Sequence, residues 1–414
     1  MSVFNGSQCC QVDKPVEFQL NNVMSTSKYR MKVSSYTTGF FSTFQHNTST
    51  DIWDQQLTTG GTVTWDSNLC AIIASVTSTQ GSKVIRQTRN VMRYVPGRPA
   101  EFSSSFVFGA PVTGIRKRIG MFDENNGFYL EQAINGTYYC VVRSKSTGII
   151  TETRISQSDW NIDKLDGLGK SCFILNKEAV QLVLVDYEWY GAGSITFCFV
   201  IQDERVPVHS FYTANINSIP WASTPFIPMR IEVENVSSSS SNYMIHISQC
   251  HSQEASSDNL GYPLSIANPI TGYSMTTGGV FYPIISIRLK SSTLNSVVIP
   301  MYLRAATLDN TFIFYRLILN ATLTGAVWTN HPSVTSSIQY DVSSTSFTGG
   351  TISNQGFSSS GYNDELVLND RQENANYQLG RSSLGTVSDI LTIAMSAVTA
   401  NKNGVATLNW VEQR

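Results

Sequence analysis

The sequence predicts an all-β protein, built of antiparallel jelly-roll or β-sandwich domains, two or three in tandem. Three observations predict it. Apolar and polar residues alternate with period two along most of the chain. Gly, Asn, Asp and Ser clusters interrupt the alternation every few residues, and no stretch sustains a long helical period. At 414 residues the chain exceeds one ordinary domain and can bury ample core.

Residues 1–80 read as a first β region and 81–240 as a central jelly-roll-like domain. "AVQLVLVDYEWYGAGSITFCFVIQDERVPVHSF" (179–211) is the clearest meander, three strands separated by a Gly-rich turn and by "QDER". The Ser-rich stretch 241–261 is predicted as a linker, and 262–414 as a C-terminal sandwich. "SDILTIAMSAVTA" (388–400) could be helix or strand, and its Thr and Val content favours strand. No period of 20 to 50 residues recurs, which disfavours a solenoid or propeller.

Charged residues make up 14% of the chain, against about 25% in average soluble proteins, and aromatic residues 11%. Disordered chains show the opposite balance. The net charge of −2 creates no global field for nucleic acid or anionic lipid. The seven cysteines (9, 10, 70, 140, 172, 198, 250) are irregularly spaced, several in apolar strand-like runs, and read as buried free thiols rather than a disulfide framework. "MSVFNGSQCCQVDKP" shows no basic region followed by an apolar stretch, so no secretory signal is expected. No apolar run is long enough to span a membrane.

Each candidate chemical site also has a plainer structural reading. "IRKRIGMFDENNGFYLEQ" (115–132) places Arg116, Lys117 and Arg118 ahead of a polar turn, Asp123 to Asn126, closed by Gly127. A calcium loop fails in register, since the fifth position is Gly127, and a hairpin with a polar tip is expected. "DWNIDKLDG" (159–167) lacks the Gly and Glu of a calcium loop, and "GLGKS" (167–171) lacks the first Gly of a phosphate loop. Both read as surface loops. His246 and Cys250 would lie ~13 Å apart along a strand, too far to share a metal. No cofactor or metal is expected, and no nucleophile-elbow motif supports a hydrolytic triad.

Asp186 and Glu188, two residues apart on a strand, would share a face at about 6.5 to 7 Å. That falls within the span of glycosidase carboxylate pairs, about 5 to 9.5 Å, but distance meets only part of the requirement. Charge is unevenly distributed. Lys83 to Arg118 holds eight cations against Glu101 alone, while Ile119 to Arg205 holds twelve acids to seven bases. Three readings stay open: a nucleic-acid patch, cross-strand pairs within one sheet, or a basic face docking on the acidic face of a neighbouring subunit.

"RQTRNVMRYVPGRP" (86–99), "IRKRIGMFDENNGFYLEQ", "VVRS" (141–144), "DWNIDKLDG", "VDYEWYGAGSITFCFVI" (185–201) and "TPFIPMRIEV" (224–233) occur in this order. Together they resemble a β module of structural proteins in marine tailed phages and large DNA viruses of algae and protists. "PIISIRLKS" (283–291), "NATLTGAVW" (320–328), "QYDVSSTSFTGGT" (339–351) and the closing "SDILTIAMSAV" and "ATLNWVEQR" look like the C-terminal half of the same group. The resemblance implies a virion component assembled inside the host cell. It implies no catalytic residues, so the expectation is a non-enzymatic minor capsid or vertex protein contacting other virion proteins and copies of itself. Arg116, Lys117 and Arg118, opposite Asp186 and Glu188, are the interface candidates. The alternatives are a carbohydrate-binding fibre or tail protein, with Tyr187, Trp189 and Tyr190 stacking on sugar rings, and a jelly-roll glycosidase using Asp186 and Glu188.

Overall fold

The computed structural model describes residues 36–189, 191–254, 261–309, 311–358, 364–367 and 378–413. Among them there is no α-helix, and the strands form two antiparallel sandwiches. In the first sandwich, one sheet runs in the order Glu204–Phe211, Ile195–Ile201, Gln181–Tyr187, Ala100–Val107, Asn242–Glu254, Ala71–Val76 and Thr62–Asp66. Tyr36–Thr43 joins it by pairing with Asn242–Glu254. The facing sheet runs Thr151–Ser156, Tyr138–Ser144, Gly127–Gln132, Ile115–Phe122, Met229–Asn235, Lys83–Thr88 and Trp53–Thr58.

Alternation produces this architecture. Along Ala100–Val107 every second residue is buried, Phe102 and Phe106 facing inward while Ser103 and Ser105 face out. Phe102, Phe128, Phe197 and Ile231 from the two sheets meet in one core.

Two boundaries differ from expectation. The strands at 36–88 are distributed over both sheets of this sandwich, so the predicted first region and the central domain are one body. The segment 241–261, expected to be a linker, contributes Asn242–Glu254, which lies between Ala100–Val107 and Ala71–Val76 near the middle of the first sheet. Its low hydrophobicity misleads because the residues it turns inward include His246, Gln249 and His251, all buried.

The second sandwich is built from Tyr262 to Gln413. Its five-stranded sheet centres on Lys402–Gln413 paired with Val297–Thr307, and its six-stranded sheet on Ile390–Ala397 between Tyr282–Leu289 and Ile313–Leu319. The ambiguous stretch at 388–400 is thus a central strand. Leu303, Leu317, Ile393, Leu408 and Trp410 fill this core.

The sandwiches touch through an apolar contact and a polar latch. Val91 packs with Val297 and Ile299, flanked by Phe226 and Met301. Arg381 Nη2 donates to Asp123 Oδ2 at 2.9 Å, with both side chains almost fully buried. Arg89 pairs with Asp389 at 3.0 Å, and Asp54 accepts from the Ser383 N–H and hydroxyl, both at 2.7 Å. No helix among the described residues is long and apolar enough to cross a membrane, which does not bear on strands.

His246 stands edge-on to Phe44 and Trp53, at 4.8 and 5.3 Å between centroids. Neither ring nitrogen has a hydrogen-bond partner. Burial first, and then Arg86, hold its pKa well below the ordinary value. Burial likewise brings His251 down to about 4, and its Nε2 lies 2.9 Å from the Tyr187 hydroxyl. Both rings are neutral when folded, whereas the unfolded chain takes up protons below about pH 6.5. Stability is therefore expected to fall as pH drops from 6.5 towards 4, read as a decreasing urea midpoint. His246→Leu should flatten that dependence and match or exceed the parent at pH 7, because it removes two buried unpaired polar atoms. An unchanged slope in the variant would count against this account.

Candidate functional site

The 115–132 stretch forms the predicted hairpin, with Ile115–Phe122 paired to Gly127–Gln132. Asp123 Oδ1 accepts the N–H groups of Asn125 and Asn126 at 2.8 and 2.9 Å, a side-chain turn that closes the loop. Gly127 has φ +132°, and a Cβ there would lie 2.2 Å from the Met121 carbonyl oxygen, so only glycine fits.

The three cations behind this turn are each engaged within the chain. Lys117 points into the sandwich, fully buried, and donates to the Phe108 carbonyl; burial lowers its pKa to about 8. Arg116 pairs with Glu234. Arg118 is buried on the outward side of its sheet between two carboxylates, Glu131 at 2.7 Å and Glu232 at 3.1 Å. Both acids come from the adjacent strands in register. Of the three readings of the charge pattern, cross-strand pairing within one sheet is what the fold contains, and the interface role expected for Arg116, Lys117 and Arg118 is corrected accordingly.

This pairing extends across the sheet. Arg154 joins Glu131 and Glu152, Arg143 joins Glu152 at 2.8 Å, and Arg230 joins Glu232 at 2.6 Å and Glu124 at 2.7 Å. Tyr129 and Phe122 lie among them, with the Arg118 guanidinium 5.0 Å from the Tyr129 ring and Arg230 5.4 Å from Phe122. Burial opposes ionisation of Glu232, but Arg230 and Arg118 outweigh it and hold the carboxyl below its usual range. Glu152 is brought down to about 2, as hydrogen bonds from Tyr129 and Arg143 outweigh its burial.

Asp186 and Glu188 belong to the opposite sheet. Asp186 is the penultimate residue of the Gln181–Tyr187 strand, on its outward face across from Glu101, and Arg205 bridges the two. Glu188 lies beyond the strand end, buried, its N–H donating to the Ser194 carbonyl at 3.2 Å. The pair is therefore not a charge surface awaiting Arg116 to Arg118. Tyr187 is also corrected: it sits in the core against Tyr94 and Phe128, unavailable to a sugar. Tyr190 lies outside the described residues. Among those described, no group of three or more His, Cys, Asp or Glu could hold a metal ion.

Trp189 does reach a cleft. Between the sandwiches lies a cavity of roughly 920 Å³, whose walls include Tyr94, Trp189 and Phe226 from the first sandwich and Tyr262, Leu294 and Leu384 from the second. Glu124 and Asn125, from the hairpin tip, line the same space. Trp189 is held by its N–H to the Tyr94 hydroxyl at 2.9 Å and by Nε1 to the Ala222 carbonyl at 3.3 Å. Sequence reasoning singled out Trp189 but missed the rest, because the lining comes from separate segments spread between Tyr94 and Gln413. Only the aromatic and turn residues offered a signal.

No family model and no curated protein matches this chain. Among solved structures it is similar to a glycosyl hydrolase family protein from Mycobacterium fortuitum (10% identity, TM-score 0.36, 52% of this chain and 99% of that one). It is similar also to a Bacillus licheniformis β-glucanase (12%, 0.34, 53% and 98%) and a glycoside hydrolase family 16 endo-glucanase from Bacteroides ovatus (8%, 0.34, 51% and 99%). The expectation of a non-enzymatic protein finds no support here: the solved structures similar to this chain are glycoside hydrolases. At this identity and TM-score the likeness carries no residue role over to this chain.

Removing Arg118 would take from two buried carboxylates, Glu131 and Glu232, the cation they share, leaving the first to Arg154 and the second to Arg230. Arg118→Met is expected to cost about 3–5 kcal/mol. Arg116→Met, at a half-exposed pair, should cost less than about 1 kcal/mol. Chemical denaturation of the two variants checks the contrast, and equal costs would refute it.

Proposed function

We propose that this protein recognises carbohydrate in the cleft between its two sandwiches. The observation that carries this reading is the lining itself: Trp189, Phe226 and Tyr262 contribute aromatic side chains, and Glu124 and Asn125 line the same space. Sugars present apolar C–H faces and a rim of hydroxyls, so their recognition needs aromatic surfaces alongside hydrogen-bond acceptors. The volume suits an oligosaccharide segment, as ligand clefts commonly span about 300–1,000 Å³. In the setting implied by the sequence resemblance, such a protein would serve a virion in attachment to host glycans.

Glycan-array screening tests the reading, with a reducing-end assay on each bound glycan to detect cleavage. Tyr262, 62% exposed, can be changed without disturbing a core. Tyr262→Ala is expected to weaken binding about two- to tenfold, the worth of one stacking contact. Trp189→Ala should weaken it at least as much. Binding unaffected by both changes would remove the cleft as the site.

A second reading, assembly with copies of itself or other virion proteins, is favoured by the edge of the second sandwich. Thr351–Ser358 ends the six-stranded sheet, and Phe357 (67% exposed) lies 6.5 Å from Phe314 (46%). An exposed strand edge carrying large apolar side chains is a surface that proteins ordinarily cover. Phe357→Lys is expected to reduce self-association in analytical ultracentrifugation while leaving thermal unfolding unchanged. Identical sedimentation of the parent and the variant would exclude self-association through this edge.

A further inference from the structure

We infer that the cleft selects uncharged saccharides over sulfated or uronic-acid polymers; this deepens the carbohydrate reading and rests on it. Among the described residues, the charged groups that line the cleft are Asp123, Glu124, Glu412 and Arg381. Arg381 is the single cation among the described lining residues, and it is 2% exposed with its Nη2 committed to Asp123. Arg230, the cation behind Glu124, is also 2% exposed and is shared between Glu124 and Glu232. Glu412 is buried and accepts from the Ser336 hydroxyl at 2.6 Å, the Ser337 N–H at 2.9 Å and the Trp410 Nε1–H at 2.9 Å.

Glu124 differs from these. Its side chain is 40% exposed, the most open charge on the wall. A carboxylate accepts hydrogen bonds and donates none, so it matches the hydroxyls of a neutral sugar. A sulfate or uronate brought to the same place loses its hydration, meets no free cation among the described lining residues, and lies beside a like charge. Polyanion recognition instead uses exposed Arg or Lys able to form charge-assisted pairs. The two cations of this region, Arg381 and Arg230, are buried and paired with the acids beside them.

Selectivity is read by calorimetric titration of the full chain with laminarihexaose and cellohexaose and with sulfated preparations of the same oligosaccharides, at low salt. The neutral ligand is expected to bind at least about tenfold more tightly than its sulfated form. Leu384→Arg places a cation on the cleft wall at a position 57% exposed, outside the charge network. It should raise affinity for the sulfated ligand while leaving the fold, followed by circular dichroism, unchanged. Glu124→Gln should narrow the neutral-to-sulfated ratio. Equal or tighter binding of the sulfated ligand by the parent protein overturns the selectivity while leaving the carbohydrate reading in place. Binding of neither ligand, together with an empty glycan array, overturns both.

Discussion

The structure depends on Arg118. Its guanidinium lies between Glu131 and Glu232 on the outward face of the seven-stranded sheet, with almost no exposure to water. Burying one charge there would be prohibitive, and burying one pair often gains nothing over an apolar substitute. The fold instead buries a chain of charges in which every acid meets a base. From Arg154 the chain runs through Glu131, Arg118, Glu232 and Arg230 to Glu124. Register is the constraint that makes this possible. The strands of Arg118, Glu131 and Glu232 are neighbours, and slipping any of them by one residue would turn its charge into the core.

The same network explains why the hairpin tip is so polar. Asp123 uses one oxygen to close its own turn and the other to receive Arg381 from the second sandwich. Asn126 holds Ser223 through both ends of its amide, its Nδ2 donating to the hydroxyl and its Oδ1 accepting the N–H. A turn that would otherwise be surface decoration thereby becomes the joint between two domains. Wherever Asp123 is held, Glu124 is held beside it.

Local features of this fold were legible in the sequence, and distant ones were not. Strand alternation, the Asp123–Gly127 hairpin and the strand character of 388–400 follow from short-range chemistry. The partners of Arg118 do not, because Glu232 is 114 residues away and only the sheet register brings it close. Cations followed by acids in sequence look like two opposed patches, when the acids lie on the adjacent strands. The strand Asn242–Glu254 was obscured for a related reason. Its inward residues are polar, and their burial is tolerable because Phe44, Trp53 and Tyr187 surround neutral histidines. Of the cleft, Trp189 was visible as an aromatic residue near a turn, but Tyr262 and Leu384 become its neighbours only once the sandwiches dock.

Docking of the sandwiches and formation of the cleft are one event. The apolar contact of Val91 with Val297 and Ile299 supplies area without direction, since hydrophobic burial is tolerant of rotation. Direction comes from the ion pairs and hydrogen bonds around it: Arg381 on Asp123, Arg89 on Asp389, and Ser383 on Asp54. These are spread over the loop at 381–389 and reach three separate elements of the first sandwich, so together they oppose rotation as well as separation. The wall carrying Glu124 and Asn125 and the wall carrying Tyr262 and Leu294 are therefore set at a distance determined by the latch. A ligand bridging both walls would lose most of its contacts if either sandwich turned, which links the buried charges of one sheet to the shape of a cleft that their chain reaches only at Glu124.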